Sequence, residues 1–358
     1  MSLENLIKDL ETEHYSKKKS YSHSTFLIKK IFYKIKIEDE FYNLFLSELE
    51  INFINYYKNI HKDKFNKKKI AEMVADNLAK NKFTINYIKK ETIDQIKDII
   101  KKEIEILENN EAENRVSRNE LTISGGYKVI KLINFLNNEL SKNGLLNSVS
   151  NYLQYDSEIC GLAIELSSKK STWWKHKKNT LENKTPAVHL DKDFNCIKSI
   201  LYLSDVKSDN GPFTVYPKIY EDFKLNIFQD ILGRIILETA GNIKDAKLKK
   251  YLDIKDSSQP FLSENFRKIY KQLPKKVAFN SHLGWELDAG SYLEKKIIDS
   301  KNEIHGDHGT LITFDGSRLL HSGGLVKEKN RLVLQIIYSK KINIITKYIK
   351  KIKNKLIN

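Results

Sequence analysis

Cysteine is scarce in this 358-residue chain, which contains only Cys160 and Cys196. Two cysteines outside any Cys-x-x-Cys pair cannot build a disulfide framework, which excludes the small disulfide-rich scaffolds of secreted proteins. Long apolar runs are missing too: no stretch reaches the roughly 18–20 uncharged apolar residues that a membrane span requires, and the first residues lack the apolar block of a signal peptide. We therefore expect a cytoplasmic protein in a reducing compartment.

Arginine is also rare, although the formal net charge is +16. Such a charge would normally suggest a nucleic-acid partner, because basic side chains neutralise phosphates. Only six of the 62 basic residues are arginine, however, and base readout favours the guanidinium fork. Lysine that accompanies abundant Ile and Asn is what A/T-rich codons would produce. We expect no nucleic-acid partner.

The hydrophobic spacing changes near residue 150. Up to about residue 115, apolar residues recur at intervals of three and four among Lys and Glu, which predicts helices. VIKLINFLNNELSKNG predicts a further helix that ends at Gly144. Beyond residue 150, short runs such as IKSILYLSDV and RLVLQIIY predict the strands of a β-sandwich or jelly roll. A helical interruption from about 218 to 276 is either a lid over a pocket or a packing layer on the sheet.

Three His-x-Asp tripeptides are candidate metal-binding motifs, namely His61-Lys62-Asp63, His189-Leu190-Asp191 and His305-Gly306-Asp307. The first lies in a Lys-rich stretch that is typical of a solvated surface. The second precedes a strand-like run, and in an extended segment residues two apart face the same side, so that imidazole and carboxylate converge. Two histidines and one carboxylate with three open positions form the site of non-haem Fe(II) oxygenases.

The third ligand is sought near the other end of the β region. His321 follows two leucines and precedes Gly323 and Gly324 after a one-residue interval, in a segment that predicts a strand with backbone space beside it. Ten residues later, Arg331 begins an apolar strand and needs a partner if it faces inward. A dicarboxylate supplies one, because guanidinium pairs with carboxylate through two parallel hydrogen bonds.

Several blocks together resemble the phytanoyl-CoA dioxygenase family of Fe(II)/2-oxoglutarate-dependent oxygenases. These are the second His-x-Asp, a strand ending YLSDV, the segment DNGPFTVYPK, a turn and strand ending FDG, and a histidine followed by an arginine ten residues later. The resemblance covers residues 75 to 340 and is strongest in 185–217 and 305–338. It implies an α+β fold with a double-stranded β-helix core (jelly-roll, cupin-like), N-terminal helices and a helical insertion.

By this resemblance, His189, Asp191 and His321 are the catalytic metal ligands and Arg331 binds the distal carboxylate of 2-oxoglutarate. His305-Gly306-Asp307 then matches a turn before the last metal-bearing strand. The implied enzyme uses Fe(II), 2-oxoglutarate and O₂, and it oxidises a small-molecule substrate, most often by hydroxylation, with release of succinate and CO₂. The alternative is a cupin-like protein that binds a metal or ligand without turnover.

The expected organisation has three parts. Residues 1–70 form an N-terminal helical extension, residues 71–340 form the dioxygenase domain with its insertion at about 218–276, and residues 341–358 form a basic tail. As a helix, the tail would align Ile345, Ile349, Ile352 and Leu356 on one side. That stripe either docks on the protein's own core or contacts an anionic membrane surface.

Overall fold

The computed structural model describes residues 1–15, 21–62, 77–112, 119–123, 126–153, 155–170, 185, 187–191, 197–217, 227–254, 260, 263–274 and 287–341. Within these ranges the protein combines helices with two antiparallel β-sheets. The basic tail from residue 342 onward lies outside the described residues, and so do Cys196 and parts of the 218–276 segment.

Helices flank the sheets and supply most of the N-terminal half. In the described residues they are α1 (Leu3–Tyr15), α2 (Tyr21–Ile35), α3 (Glu40–Lys62), α4 (Asn77–Asn81), α5 (Lys90–Ile99), α6 (Lys101–Ala112), α7 (Gly126–Lys142), α8 (Leu145–Leu153), α9 (Ile227–Gly241), α10 (Ala246–Leu252), α11 (Glu264–Gln272) and α12 (Tyr292–Asp299). Gly144 follows α7 with a φ of 74°, as predicted for a residue that ends a helix in the left-handed region.

The strands of the described residues are β1 (Phe83–Tyr87), β2 (Glu120–Thr122), β3 (Ser157–Ser167), β4 (Ile197–Tyr202), β5 (Phe213–Val215), β6 (Asn302–Ile304), β7 (Thr310–Asp315), β8 (His321–Ser322) and β9 (Arg331–Lys340). The large sheet has the order β1-β7-β4-β9-β3-β2, and the small sheet has the order β6-β5-β8. An isolated antiparallel bridge between His189 and His321 adds the segment around His189 beside β8.

Alternation along the central strands separates two apolar layers. In β4, Ile197 and Leu201 pack against helices α5 to α8 on the outer face of the large sheet. Tyr202 points the other way, into a smaller cluster that lies between the two sheets and includes Phe213 of β5 and Phe314 of β7. The period of two along a strand produces this division, and the inner cluster borders the histidines described below.

The N-terminal helices and the helical insertion share one hydrophobic core, which we call the helical unit (α1–α3 with α9–α11). Phe53 of α3 packs against Phe228 of α9 with ring centroids 5.0 Å apart, and Phe41 stacks on Tyr251 at 3.9 Å. Helices α9 to α11 therefore form a packing layer with α1 to α3, although 164 residues (226 minus 62) separate the two groups in sequence.

One sequence prediction is wrong in detail, and one helix was not predicted. The reading of the first 115 residues as helical fails at β1, which pairs with β7 from Phe83 opposite Phe314 to Tyr87 opposite Thr310. Helix α12 lies beyond the predicted end of the insertion. Its start carries a helix signal in the sequence, Ser291 followed by Glu294, and the Ser291 hydroxyl accepts a hydrogen bond from the Glu294 N–H at 3.3 Å. Among the described residues, no helix has the length and apolar character needed to cross a membrane.

Candidate metal centre

His189 and His321 lie directly opposite each other on neighbouring antiparallel segments. Each backbone N–H donates to the other's carbonyl oxygen at 3.0 Å, and the ring centroids are 4.3 Å apart. Residues that face each other in this way direct their side chains to the same side of the sheet. The two imidazoles therefore share one face of the small sheet, next to Phe213 and Phe314.

Asp191 adds a carboxylate to the same face, two residues after His189. Its Oδ1 lies 4.0 Å from Nε2 of His189, and its Oδ2 lies 3.8 Å from Nε2 of His321. The ligand atoms of these three residues all lie within 4.8 Å of one another. Among the described residues, the three side chains form a group that could hold a metal ion. The structure thus brings the three residues predicted from the sequence together.

Both imidazoles are oriented with Nε2 toward this cluster. Nδ1 of His189 contacts the carbonyl oxygen of Ala187 at 2.8 Å, and Nδ1 of His321 contacts that of Leu319 at 2.8 Å. A carbonyl oxygen accepts a hydrogen bond, so Nδ1 carries the proton and Nε2 keeps its lone pair. This is the tautomer that a metal ligand needs, held by a second hydrogen bond. Ala187 presents its carbonyl from a left-handed conformation with a φ of 71°.

Burial and neighbouring charges shift the pKa values of His321 and Asp191. Desolvation by burial, followed by the neighbouring His189, lowers the pKa of the His321 imidazole to about 3, so the ring is neutral at physiological pH. For Asp191, burial alone would raise the pKa of the carboxyl, but Lys198 and the two histidines outweigh burial and the net shift is downward. Lys198, on β4, places Nζ 3.0 Å from Oδ2 of Asp191. A neutral imidazole beside an ionised carboxylate suits a divalent cation.

The turn after β7, at residues 315–318, packs against Asp191. The N–H of Asp191 donates to the carbonyl oxygen of Gly316 at 2.7 Å, and the carboxylate lies so close that a Cβ at position 316 would be 1.9 Å from Oδ2. The turn is anchored by Asp315, which accepts hydrogen bonds from Tyr152 at 2.7 Å and from Arg318 at 2.6 Å. A side chain at position 316 would therefore displace the Asp191 carboxylate.

Arg331 is buried at the start of β9, on the same face of that strand as Val333 of the inner cluster. Its guanidinium donates to the carbonyl oxygen of Gly211 and, at 2.9 Å, to the hydroxyl of Ser167. A carboxylate oxygen of Glu165 lies 3.7 Å away. Nε of Arg331 is buried and has no hydrogen-bond partner among the described residues. Arg331 thus faces inward, and groups of the protein itself bind part of its guanidinium.

The other histidine motifs lie elsewhere. His61 is in the last turn of α3. His305 lies beside Glu303 at 3.6 Å, Gly306 bridges to Val206, and the carbonyl oxygen of Asp307 accepts from the Thr310 N–H at 3.0 Å in a turn before β7. These observations agree with the predicted turn.

Sequence reasoning missed Lys198, Arg234 and Gly316 as neighbours of Asp191. The FDG turn is visible in the sequence, but the residues around it do not indicate that the Asp191 side chain packs against its glycine. Lys198 interrupts an apolar strand, and a charged residue at such a position is the signal that could have identified it.

Comparisons with known proteins find fold-level likenesses alone. No protein-family model matches the chain, and no curated protein matches it. One similar solved structure is EctD from S. alaskensis with bound Fe, with 10% identity, coverage of 75% of this chain and 77% of that chain, and a TM-score of 0.36. Another is HygX from Streptomyces hygroscopicus with nickel and 2-oxoglutarate bound, with 11% identity, coverage of 74% and 85%, and a TM-score of 0.36. Likenesses of this size do not assign the chain to a family or an activity.

Proposed function

We propose that this protein is an Fe(II)- and 2-oxoglutarate-dependent oxygenase that oxidises a small-molecule substrate, with hydroxylation as the outcome. The observation that carries the proposal is the convergence of two histidine Nε2 atoms and one carboxylate on one face of the small sheet. A set of two histidines and one carboxylate is the donor set of non-haem Fe(II) oxygenases. His189, Asp191 and His321 are the proposed metal ligands.

The strand order supports the proposed fold for this site. Strands β7, β4, β9 and β3 are neighbours in the large sheet, and β6, β5, β8 and the segment at His189 are neighbours in the other. Two packed antiparallel sheets of this kind are the arrangement of jelly rolls and cupins. We therefore propose a double-stranded β-helix core within a dioxygenase domain of residues 71–340, with the metal ligands on two adjacent strands of the smaller sheet.

The three side chains already have the orientation and protonation state that a divalent cation requires. Both histidine rings are held by carbonyl oxygens with Nε2 free of the ring proton. The buried His321 is neutral, and Asp191 is ionised at physiological pH. Little proton release from these two residues is therefore needed when a divalent cation binds.

Arg331 is the proposed anchor for the distal carboxylate of 2-oxoglutarate. Its buried Nε has no acceptor among the described residues, and an orphaned guanidinium N–H is costly unless an anion satisfies it. Bound iron and 2-oxoglutarate would supply the oxidation of a substrate C–H bond by O₂, with succinate and CO₂ as products. The chain's own part is to hold the metal with three side chains, to orient the diacid with Arg331 and to enclose both between the sheets.

One observation favours the alternative of a binding protein without turnover. Arg331 already donates to Gly211 and Ser167 and lies 3.7 Å from Glu165, so part of its binding capacity is engaged. A diacid would have to compete with the Glu165 carboxylate. Turnover therefore has to be measured separately from metal and ligand binding.

The test begins with anaerobic Fe(II) and 2-oxoglutarate binding by calorimetry, followed by succinate release in air measured by NMR. We expect His321→Ala to abolish metal binding, while His305→Ala, which removes an exposed histidine of another His-x-Asp, leaves it unchanged. Arg331→Met should weaken 2-oxoglutarate binding roughly 10–100-fold, the value of one or two charge-assisted hydrogen bonds. Metal binding that survives His321→Ala would refute the proposed site, and binding without succinate release would establish the alternative.

A further inference from the structure

We propose that Arg234 is a positioning residue for the metal centre, through which the helical unit holds Asp191 in place. The inference rests on the proposed metal site, because it concerns the geometry of one of its ligands. Arg234 contacts the backbone of Asp191 and of the turn after β7, and it comes from a helix that is otherwise packed into the helical unit.

Arg234 is unusual in its surroundings. It lies in α9, where Ile231, Leu232, Ile235 and Ile236 are buried in the shared core of α1–α3 and α9–α11. Arg234 itself is only 4% exposed. A guanidinium keeps its charge, so burying it is costly unless good acceptors replace the water it loses. Its presence in an apolar helix therefore indicates a specific function for its contacts.

Two carbonyl oxygens on separate segments accept from this guanidinium. Nη1 of Arg234 donates to the carbonyl oxygen of Asp191 at 3.3 Å, and Nη2 donates to that of Ser317 at 3.0 Å. The planar fork of arginine can serve two acceptors at once in fixed geometry, whereas a lysine ammonium acts as a single point charge. Arg234 thus connects the Asp191 segment to the turn at residues 315–318.

The contacts hold the Asp191 backbone on both sides of its Cα atom. Its N–H donates to Gly316, its carbonyl oxygen accepts from Arg234, and its carboxylate rests against Gly316. A metal site needs its ligand atoms within about 0.2 Å of the required distances, so a loosened backbone at Asp191 degrades the site. Residues that hold metal ligands in this indirect way typically contribute 10–100-fold to metal affinity.

The arrangement makes the helical unit part of the site's construction. Helices α1 to α3 do not supply a ligand in the described residues, yet they fix α9 through contacts such as Phe53 with Phe228. Through its hydrogen bonds to the carbonyl oxygens of Asp191 and Ser317, Arg234 fixes these two residues relative to α9. Metal affinity is consequently tied to a core that lies outside the β-sheets.

The experiment is a Co(II) titration of the full-length apo protein, with the visible spectrum of the bound ion as a second readout. Arg234→Met is compared with the wild type, with Arg234→Lys, and with Arg267→Met, a control in which a partly buried arginine of α11 in the same helical unit is changed. We expect Arg234→Met to weaken Co(II) binding about 10–100-fold and to alter the spectrum at saturating metal, Arg234→Lys to lie between, and Arg267→Met to match the wild type.

The outcomes separate this inference from the proposed function. If folded Arg234→Met binds Co(II) with the wild-type Kd and spectrum, Arg234 has no positioning role and the inference is overturned. Should Arg234→Met not yield folded protein, Arg234→Lys decides: an unchanged Kd and spectrum overturn the inference, because lysine lacks the planar fork that serves both carbonyl oxygens in fixed geometry. Wild-type protein that binds no Co(II), or binding that persists in Asp191→Ala, would refute the metal site itself.

Discussion

Gly316→Ala tests the metal centre most directly, because it adds a single methyl group beside a proposed ligand. The new Cβ would lie 1.9 Å from Oδ2 of Asp191 and 2.8 Å from its Cγ. Ordinary van der Waals contact begins at 3.4 Å, so the carboxylate oxygen must move by about 1.5 Å (3.4 minus 1.9). Since metal–ligand distances tolerate only about 0.2 Å, the Asp191 carboxylate would leave its position as a ligand.

The expected loss of metal affinity is at least about 100-fold, or about 2.7 kcal/mol, because one of three ligands is displaced. The melting temperature should fall little, since the atom that must move is the far end of a flexible side chain. Calorimetric titration with Mn(II) measures the affinity. Gly161→Ala is the matched control, because its Cβ would meet only Ile337 at an ordinary 3.4 Å. A Gly316→Ala protein that binds Mn(II) as tightly as the wild type would refute the assignment of Asp191 as a ligand.

Three further predictions concern stability, each measured by urea denaturation. Asp315→Asn removes the carboxylate that accepts from Arg318, whose side chain is 34% exposed, and should cost about 1.5–3 kcal/mol at pH 7. Burial alone would raise the pKa of Asp315, but Arg318 and the hydrogen bonds lower it. The Asp315 carboxylate therefore stabilises the fold above its unfolded pKa of about 4, and this stabilisation is lost as the pH falls through the lower folded pKa. An equal loss of unfolding free energy in Asp315→Asn at pH 7 and in strong acid would contradict this. Tyr202→Phe removes the hydroxyl that accepts from the Phe213 N–H at 3.0 Å and should cost about 1–3 kcal/mol, and no change would mean that water replaces it. Ala187→Gly should change stability by less than about 1 kcal/mol because the left-handed φ of 71° suits glycine, whereas Ala187→Val should cost more than about 1 kcal/mol, and equal effects would argue against that conformation.

The cluster of His189, Asp191 and His321 could be predicted from the sequence because it depends on strand parity. His189 and Asp191 are two residues apart in an extended segment, which places both side chains on one face whatever the rest of the fold does. His321 could be sought in a second strand because its neighbours have the alternation and glycines of a sheet position. The pairing of His189 with His321, by contrast, is a register between segments 132 residues apart (321 minus 189) and follows from the whole sheet.

Other features could not be predicted because they depend on tertiary contacts. The segment FTINY forms β1 only by pairing with β7, and its exposed face and charged surroundings hide the strand pattern. The shared core of α1–α3 and α9–α11 joins two amphipathic patterns that each predict only a helix with one buried face. In the same way, the sequence marks Arg234 as a charge in an apolar helix without indicating that Asp191 and Ser317 are its acceptors.

The shared core has a consequence for protein synthesis. Helices α1 to α3 leave the ribosome before α9 and α11, with Phe45 and Phe53 on the face that those two helices later cover. At about 5–20 residues per second, translating the 164 residues between Lys62 and Ile227 takes roughly 10–30 s. During that interval the nascent chain presents an uncovered apolar surface, which makes its N-terminal segment a binding target for chaperones until the insertion has been translated.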